Sequence, residues 1–168
     1  RVFLDNGEWY RLISAGFVHF GLFHVAMNMF LLFQLARMLE PTIGSTKFAL
    51  IYCASLLGGS AGALLLSPFA FTGGASGAVF GIMAAGVVGM REHGVNPLKT
   101  GLGMTFAINI VLTVAIPGIS IGGHLGGALA GALCGFVILA PTRFKIPEFF
   151  QYATPILVGV AAIFISLA

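Results

Sequence analysis

Residues 73–90 read GGASGAVFGIMAAGVVGM, eighteen positions without a charged side chain, in which Gly77, Gly81, Ala85 and Gly89 recur every fourth residue. A period of four keeps these small residues on one face of a helix, with Ser76 immediately before the stripe. From Ser76 to Met90 the run is 15 residues. That is about 22 Å of helix against a bilayer core of about 30 Å. If its inner end lies at the interface near Arg91, its outer end stops below the membrane surface. Non-helical backbone at that depth is tolerated only inside protein or beside a water-filled cavity, so Gly73-Gly74-Ala75-Ser76 is expected to line such a cavity.

The rest of the chain makes a membrane the right frame. Of 168 residues, 58% are hydrophobic and 24 are Gly, with eight Lys or Arg and five Asp or Glu. An ordinary soluble domain carries about 25% charged residues, so a soluble globular protein is excluded. Charges are missing from Leu12–Ala36, Phe48–Met90, Thr100–Thr142 and Phe149–Ala168, stretches of 25, 43, 43 and 20 residues. A bilayer helix takes roughly 20 residues, which allots one, two, two and one spans to these stretches. The expected architecture is an all-α polytopic helical bundle of six spans, Leu22–Leu39, Phe48–Leu66, Ser76–Met90, Leu102–Ile116, Ile121–Ala140 and Phe150–Ala168. The polar run Arg1–Arg11 reads as a loop. With no linker or repeat that divides the chain, residues 1–168 form one domain.

Six spans put both termini on one side. Arg37, Lys47, Arg91, Lys99, Arg143 and Lys145 then share the other side, opposed by Arg1 and Arg11 alone. The positive-inside rule makes the six-cation side cytoplasmic, so this is a multi-pass protein of the cell membrane, both ends of this chain face outward, and a further span is expected upstream. The basic residues stand singly at span ends and form no nucleic-acid patch. Cys53 and Cys134 fall inside hydrophobic stretches and read as free thiols.

A second glycine series, Gly123, Gly127, Gly131 and Gly135, lies on the fifth span, with His124 just after its start. Such stripes let membrane helices approach closely, and packing is their ordinary purpose. Packing leaves the neighbours unexplained. Ser76 and His124 fall near the outer ends of two helices running the same way, and their glycine faces would bring them together. A Ser hydroxyl becomes a nucleophile when a base accepts its proton, and His has the pKa for that task. His24 and Asn28, four residues apart near the outer end of the first span, add side-chain donors able to stabilise an oxyanion. Interhelical hydrogen bonding is the plainer reading of each alone; three polar sites at one depth on three spans favour hydrolysis.

The acids are Asp5, Glu8, Glu40, Glu92 and Glu148, none placed to orient His124, so a dyad and not a triad is expected. Lys47, Lys99 and Lys145 lie at the wrong face for a Ser-Lys pair. His19, His24 and His124 could gather around zinc, but no metal-ligand spacing supports this, and neither metal nor cofactor is expected.

Gly74-Ala75-Ser76-Gly77, Gly123-His124 followed by Gly127, and His24-x-x-x-Asn28 together resemble the rhomboid intramembrane serine proteases. The likeness covers nearly the whole chain, and the family's first core helix would lie upstream of Arg1. It implies Ser76 as nucleophile, His124 as general base and then acid, and His24, Asn28 and the Ser76 backbone N–H as oxyanion donors, with Gly77, Gly81, Gly123 and Gly127 packing the helices. It further implies single-span membrane proteins as substrates, cleaved near the outer leaflet without metal or nucleotide. Two positions depart from the family pattern. A Trp-Arg pair in the first outer loop is matched by Tyr10-Arg11 with Trp9 one place early, and the Ala usual before the catalytic His is Gly123. His19 resembles a loop His of the family and reads as structural. Phe17, Phe20 and Phe23 read as lipid or core contacts ahead of substrate contacts. The competing functions are a catalytically silent adaptor binding transmembrane helices and a small transporter using the broken third span. Retention of both Ser76 and His124 disfavours the first. The apolar, Gly-rich continuation of the spans below these residues disfavours the second.

Overall fold

The computed structural model describes residues 2–140 and 144–168, so the expected placements of Arg1 and Arg143 lie outside the described residues. The described residues are helical throughout their regular structure. Two short helices, α1 (Val2–Asp5) and α2 (Arg11–Ser14), precede six long ones: α3 (Leu22–Ile43), α4 (Ser45–Leu66), α5 (Ser76–Glu92), α6 (Gly101–Ala115), α7 (Ile121–Leu139) and α8 (Glu148–Leu167). Each expected span is matched by one helix. Four of them, α3, α4, α7 and α8, are long and apolar enough to cross a membrane. By the same measure α6, with 15 residues, and α5, with 17, are short.

Two expectations need correction. The run Arg1–Arg11 is not all loop: α1 lies within it and α2 begins at its end. The first span extends past Leu39 to Ile43, with Pro41 inside its last turn, and Gly44 at φ +85° ends it. Pro41 has no N–H to give the Arg37 carbonyl, so the bond it removes lies in the last turns of the helix, next to the break at Gly44.

α5 is the centre of the bundle. Ile82, Met83 and Ala85 have no exposed surface, and the core around them draws Leu35 and Leu39 from α3, Ile51 and Ala54 from α4, and Cys134 and Ile138 from α7. The exterior is apolar as well: Phe30 and Phe33 on α3, Val111 and Val114 on α6, Leu129 on α7 and Leu157 and Phe164 on α8 all face outward. Large apolar residues covering the outside of several helices mark a surface solvated by lipid and not water. This is an integral membrane protein. Cys53 and Cys134 are free, as expected.

α7 is wedged between α4 and α5 by backbone contact. A Cβ added to Gly127 would meet the Gly77 carbonyl, one on Gly131 the Gly81 carbonyl, and one on Gly135 Ala85. The contacts advance together along both chains, so α5 and α7 are parallel and their starts lie at one end. A second row, unforeseen in the sequence, faces α4: Gly122 meets Gly62 and Gly126 meets Gly58, in antiparallel order. Its signal was the doubled pairs Gly122-Gly123 and Gly126-Gly127, which place glycine on two adjacent faces. At the other end of the bundle Lys47, near the start of α4, donates to Gln151 Oε1 near the start of α8 at 2.7 Å.

Candidate active site

Ser76 is the first residue of α5 and His124 lies in the first turn of α7. The glycine seam sets these two helix starts side by side, and His124 Nε2 stands 2.9 Å from Ser76 Oγ. Ser120 caps α7, accepting from the Gly123 N–H through its side chain at 3.0 Å, which fixes the turn that carries His124. The imidazole is buried, and Phe80 stacks on its face with ring centroids 4.0 Å apart and planes 18° from parallel. On its far edge, Nδ1 lies 2.7 Å from Thr113 Oγ1 of α6.

The approach to Ser76 is shaped by its partners. Gly74 N–H donates to the Ala15 carbonyl at 2.9 Å, and Ala75 N–H points to His19 Nε2 at 3.4 Å. The N–H groups of the first α5 turn, starting with Ser76, have no acceptor within their own helix. Gly74 has φ +116°, and a Cβ there would come within 2.7 Å of the His24 ring. Only glycine suits both demands, the left-handed backbone and the close approach.

His24 and Asn28 share one face of α3, as their spacing requires. The His24 ring accepts from the Phe20 N–H at Nδ1, 3.3 Å away, so in the neutral ring Nε2 carries the proton. Asn28 is buried and gives one amide hydrogen to the His24 carbonyl at 2.9 Å, keeping a second to donate. His19 meets the His24 ring edge-on at 5.1 Å and bonds the Phe17 carbonyl and the Ala75 N–H, which makes it a brace for the loop before Ser76. Among the described residues no three His, Cys, Asp or Glu side chains gather as a metal site. Phe17, Phe20 and Phe23 are exposed, which removes the core alternative for them. Phe20 also lies parallel to the His24 ring at 6.1 Å.

A cavity of about 50 Å³ reaches this point, lined in part by Gly73, Gly74, Ser76, Ser120 and His124. Its polar lining and its size admit water. Gly73, Gly74 and Ser76 therefore line a cavity. Beside it a larger hollow of about 560 Å³ opens between the segment holding α2 and residues 68–72, with Leu12, Val18, Leu64 and Phe69 among its walls. In the N-terminal segment Arg11 and Tyr10 both bond Glu8 Oε2, at 2.6 and 2.9 Å, and the Arg11 guanidinium holds the Glu8 carboxyl below its usual range.

Residues 6–141 match the family model of the rhomboid domain. The chain belongs to the rhomboid family. It is 33% identical to the rhomboid protease GluP of Bacillus subtilis (strain 168) over 125 residues, 73% of this chain and 24% of that protein. It is 38% identical to the putative rhomboid protease YdcA of the same organism over 78 residues, 46% of this chain and 39% of that protein. A match to the RHOMBOID-like protein 4 of Arabidopsis thaliana, 30% identical, covers 98% of this chain and 47% of the plant protein. The chain thus spans about a quarter to a half of the length of these relatives. No solved structure matches it significantly.

Within this rhomboid domain the sequence reading missed Phe80 and Thr113. Phe80 is four residues beyond Ser76, one turn along the same helix, a spacing that could have suggested contact with whatever Ser76 meets. Thr113 ends a row of polar residues at every fourth position of α6, Thr105, Asn109 and Thr113, which marks one face of an otherwise apolar helix.

Proposed function

We propose that this rhomboid domain is a serine endopeptidase that hydrolyses peptide bonds of single-span membrane proteins with the Ser76–His124 dyad. The observation that carries the reading is the 2.9 Å contact between His124 Nε2 and Ser76 Oγ at the foot of a water-sized cavity. Ser76 Oγ attacks the scissile carbonyl as its proton passes to Nε2. The tetrahedral oxyanion then takes hydrogen bonds from the Ser76 N–H, the His24 Nε2–H and the free Asn28 amide hydrogen. The imidazolium returns its proton to the leaving amine, an acyl-enzyme remains on Oγ, and a water activated by the same imidazole releases it. No further ion or cofactor enters the balance.

In this reading all six long helices belong to the membrane bundle, with the start of α5 stopping short at the cavity. The site lies toward the outer leaflet of the cell membrane, because Arg37, Lys47 and Arg91 sit toward the opposite ends of their helices and Lys99 just before the start of α6.

Purified protein in liposomes, treated with a fluorophosphonate probe and with a transmembrane substrate, provides the test. Labelling and cleavage are expected in the native chain. Ser76→Ala and His124→Ala should each lower the cleavage rate at least about a thousandfold, with helicity retained. Cleavage by purified Ser76→Ala protein at the native rate overturns the proposal.

A further inference from the structure

A chain of hydrogen bonds on α6 ends at the base. Asn109 Nδ2 donates to the Thr105 carbonyl at 2.9 Å, and Thr113 Oγ1 donates to the Asn109 carbonyl at 2.7 Å. The same Thr113 oxygen stands 2.7 Å from His124 Nδ1. A threonine hydroxyl has one proton and two lone pairs. With the proton committed to Asn109, Oγ1 faces His124 as an acceptor, so the hydrogen in that contact belongs to Nδ1. A neutral imidazole protonated at Nδ1 has its lone pair at Nε2, and Nε2 is the atom facing Ser76.

We propose that Thr113 is a positioning residue for the general base, its hydroxyl holding His124 in the Nδ1–H tautomer and aiming Nε2 at Ser76 Oγ. The inference rests on the reading of His124 as base given above. Thr113 is 3% exposed, so water does not compete for the contact. Phe80 controls the ring's tilt from its face, and Thr113 controls its rotation from its edge. When Ser76 attacks, its proton moves to Nε2. Nδ1–H stays where it was and continues to donate to Thr113, and no proton moves to the threonine. A neutral oxygen thereby fills the place that a carboxylate fills in a Ser-His-Asp relay. Its hold is weaker, and it requires no charge in the bilayer, where an ionised acid is costly.

The test compares Thr113→Val, which keeps the shape and removes the hydroxyl, with Thr113→Ser, which keeps the hydroxyl. Three readouts are taken on the full chain: the rate of fluorophosphonate inactivation of Ser76, kcat and KM on a transmembrane substrate, and the ¹⁵N shifts of the His124 ring. A lost neutral hydrogen bond corresponds to about three- to tenfold in rate, so Thr113→Val should lower kcat and the inactivation rate by about that factor with KM unchanged. Thr113→Ser should restore most of both. The native ¹⁵N spectrum should show Nδ1 protonated, and Thr113→Val should move it toward a mixture of tautomers. Native rates in Thr113→Val, equal losses in both variants, or an unchanged tautomer would each overturn the inference. If the native chain is not labelled at Ser76, the protease reading fails, while the ¹⁵N comparison still decides the contribution of Thr113.

Discussion

The two halves of the candidate site are built differently. Ser76 and His124 stand on α5 and α7, which meet backbone to backbone through glycine, while His24 and Asn28 stand near the N-terminal end of α3, where Leu22, Phe23 and Phe30 face outward. On the seam, atoms are located by the approach of two helix axes that cannot shift without collision. On the flank, they are located by hydrogen bonds within one turn, Phe20 to His24 and Asn28 to the His24 carbonyl. The proposed nucleophile and base should thus share the stability of the whole bundle, whereas the proposed oxyanion donors can be perturbed one at a time.

The strongest test of that contrast is Asn28→Ala. Loss of one oxyanion donor costs about 2.7–4 kcal/mol of barrier, so kcat should fall about 10²–10³-fold. The flank origin of Asn28 predicts little change in thermal midpoint, and a matching loss of stability would show that α3 is locked as firmly as the seam. Gly127→Ala should move both quantities. Its methyl has no room against the Gly77 carbonyl, and overpacking of this kind costs about 1–3 kcal/mol, so midpoint and fluorophosphonate labelling should fall together. Gly101→Ala is the control, since a Cβ at that α6 position meets nothing within 4 Å. Alanine's helix preference makes it neutral or stabilising by up to about 1 kcal/mol, and a loss comparable to Gly127→Ala would remove the case for the seam.

The smallest effect belongs to Glu8. Its carboxyl is held below the usual range by Arg11 and then by Tyr10, so it contributes stability above its unfolded pKa, lost as pH falls through the lower folded value. The carboxylate is half-buried in a surface ion pair, which contributes little, so acidification below about pH 4 should leave the thermal midpoint of Glu8→Gln and of the native chain indistinguishable at this site. A clear difference between them would give the N-terminal segment a larger part in stability than its exposure suggests.

How much of this was visible beforehand follows from the physics of each feature. Helix positions were legible because an uncharged stretch long enough for a bilayer has few alternatives, and Ser76, His124, His24 and Asn28 stood out because polar groups are rare in such stretches. The short helices α1 and α2 were hidden in a polar segment with no apolar period. Phe80 was one apolar residue among many on α5, and nothing local distinguishes a phenylalanine that stacks on imidazole from one that fills the core. Thr113 is neutral, and a neutral residue able to orient an imidazole carries no mark in the sequence like that of a charged acid in an apolar stretch.

The sequence alone determined the medium, the long helices, the family likeness and which residues could react, since all of these depend on composition and on spacing along one chain. Tertiary structure decided which atoms meet. The 2.9 Å between Nε2 and Oγ, the ring of Phe80 over His124 and the hydroxyl of Thr113 at its edge depend on the approach of α5, α6 and α7. For α5 and α7 that approach is governed by how closely glycine lets two backbones come, a relation between helices that no single stretch contains.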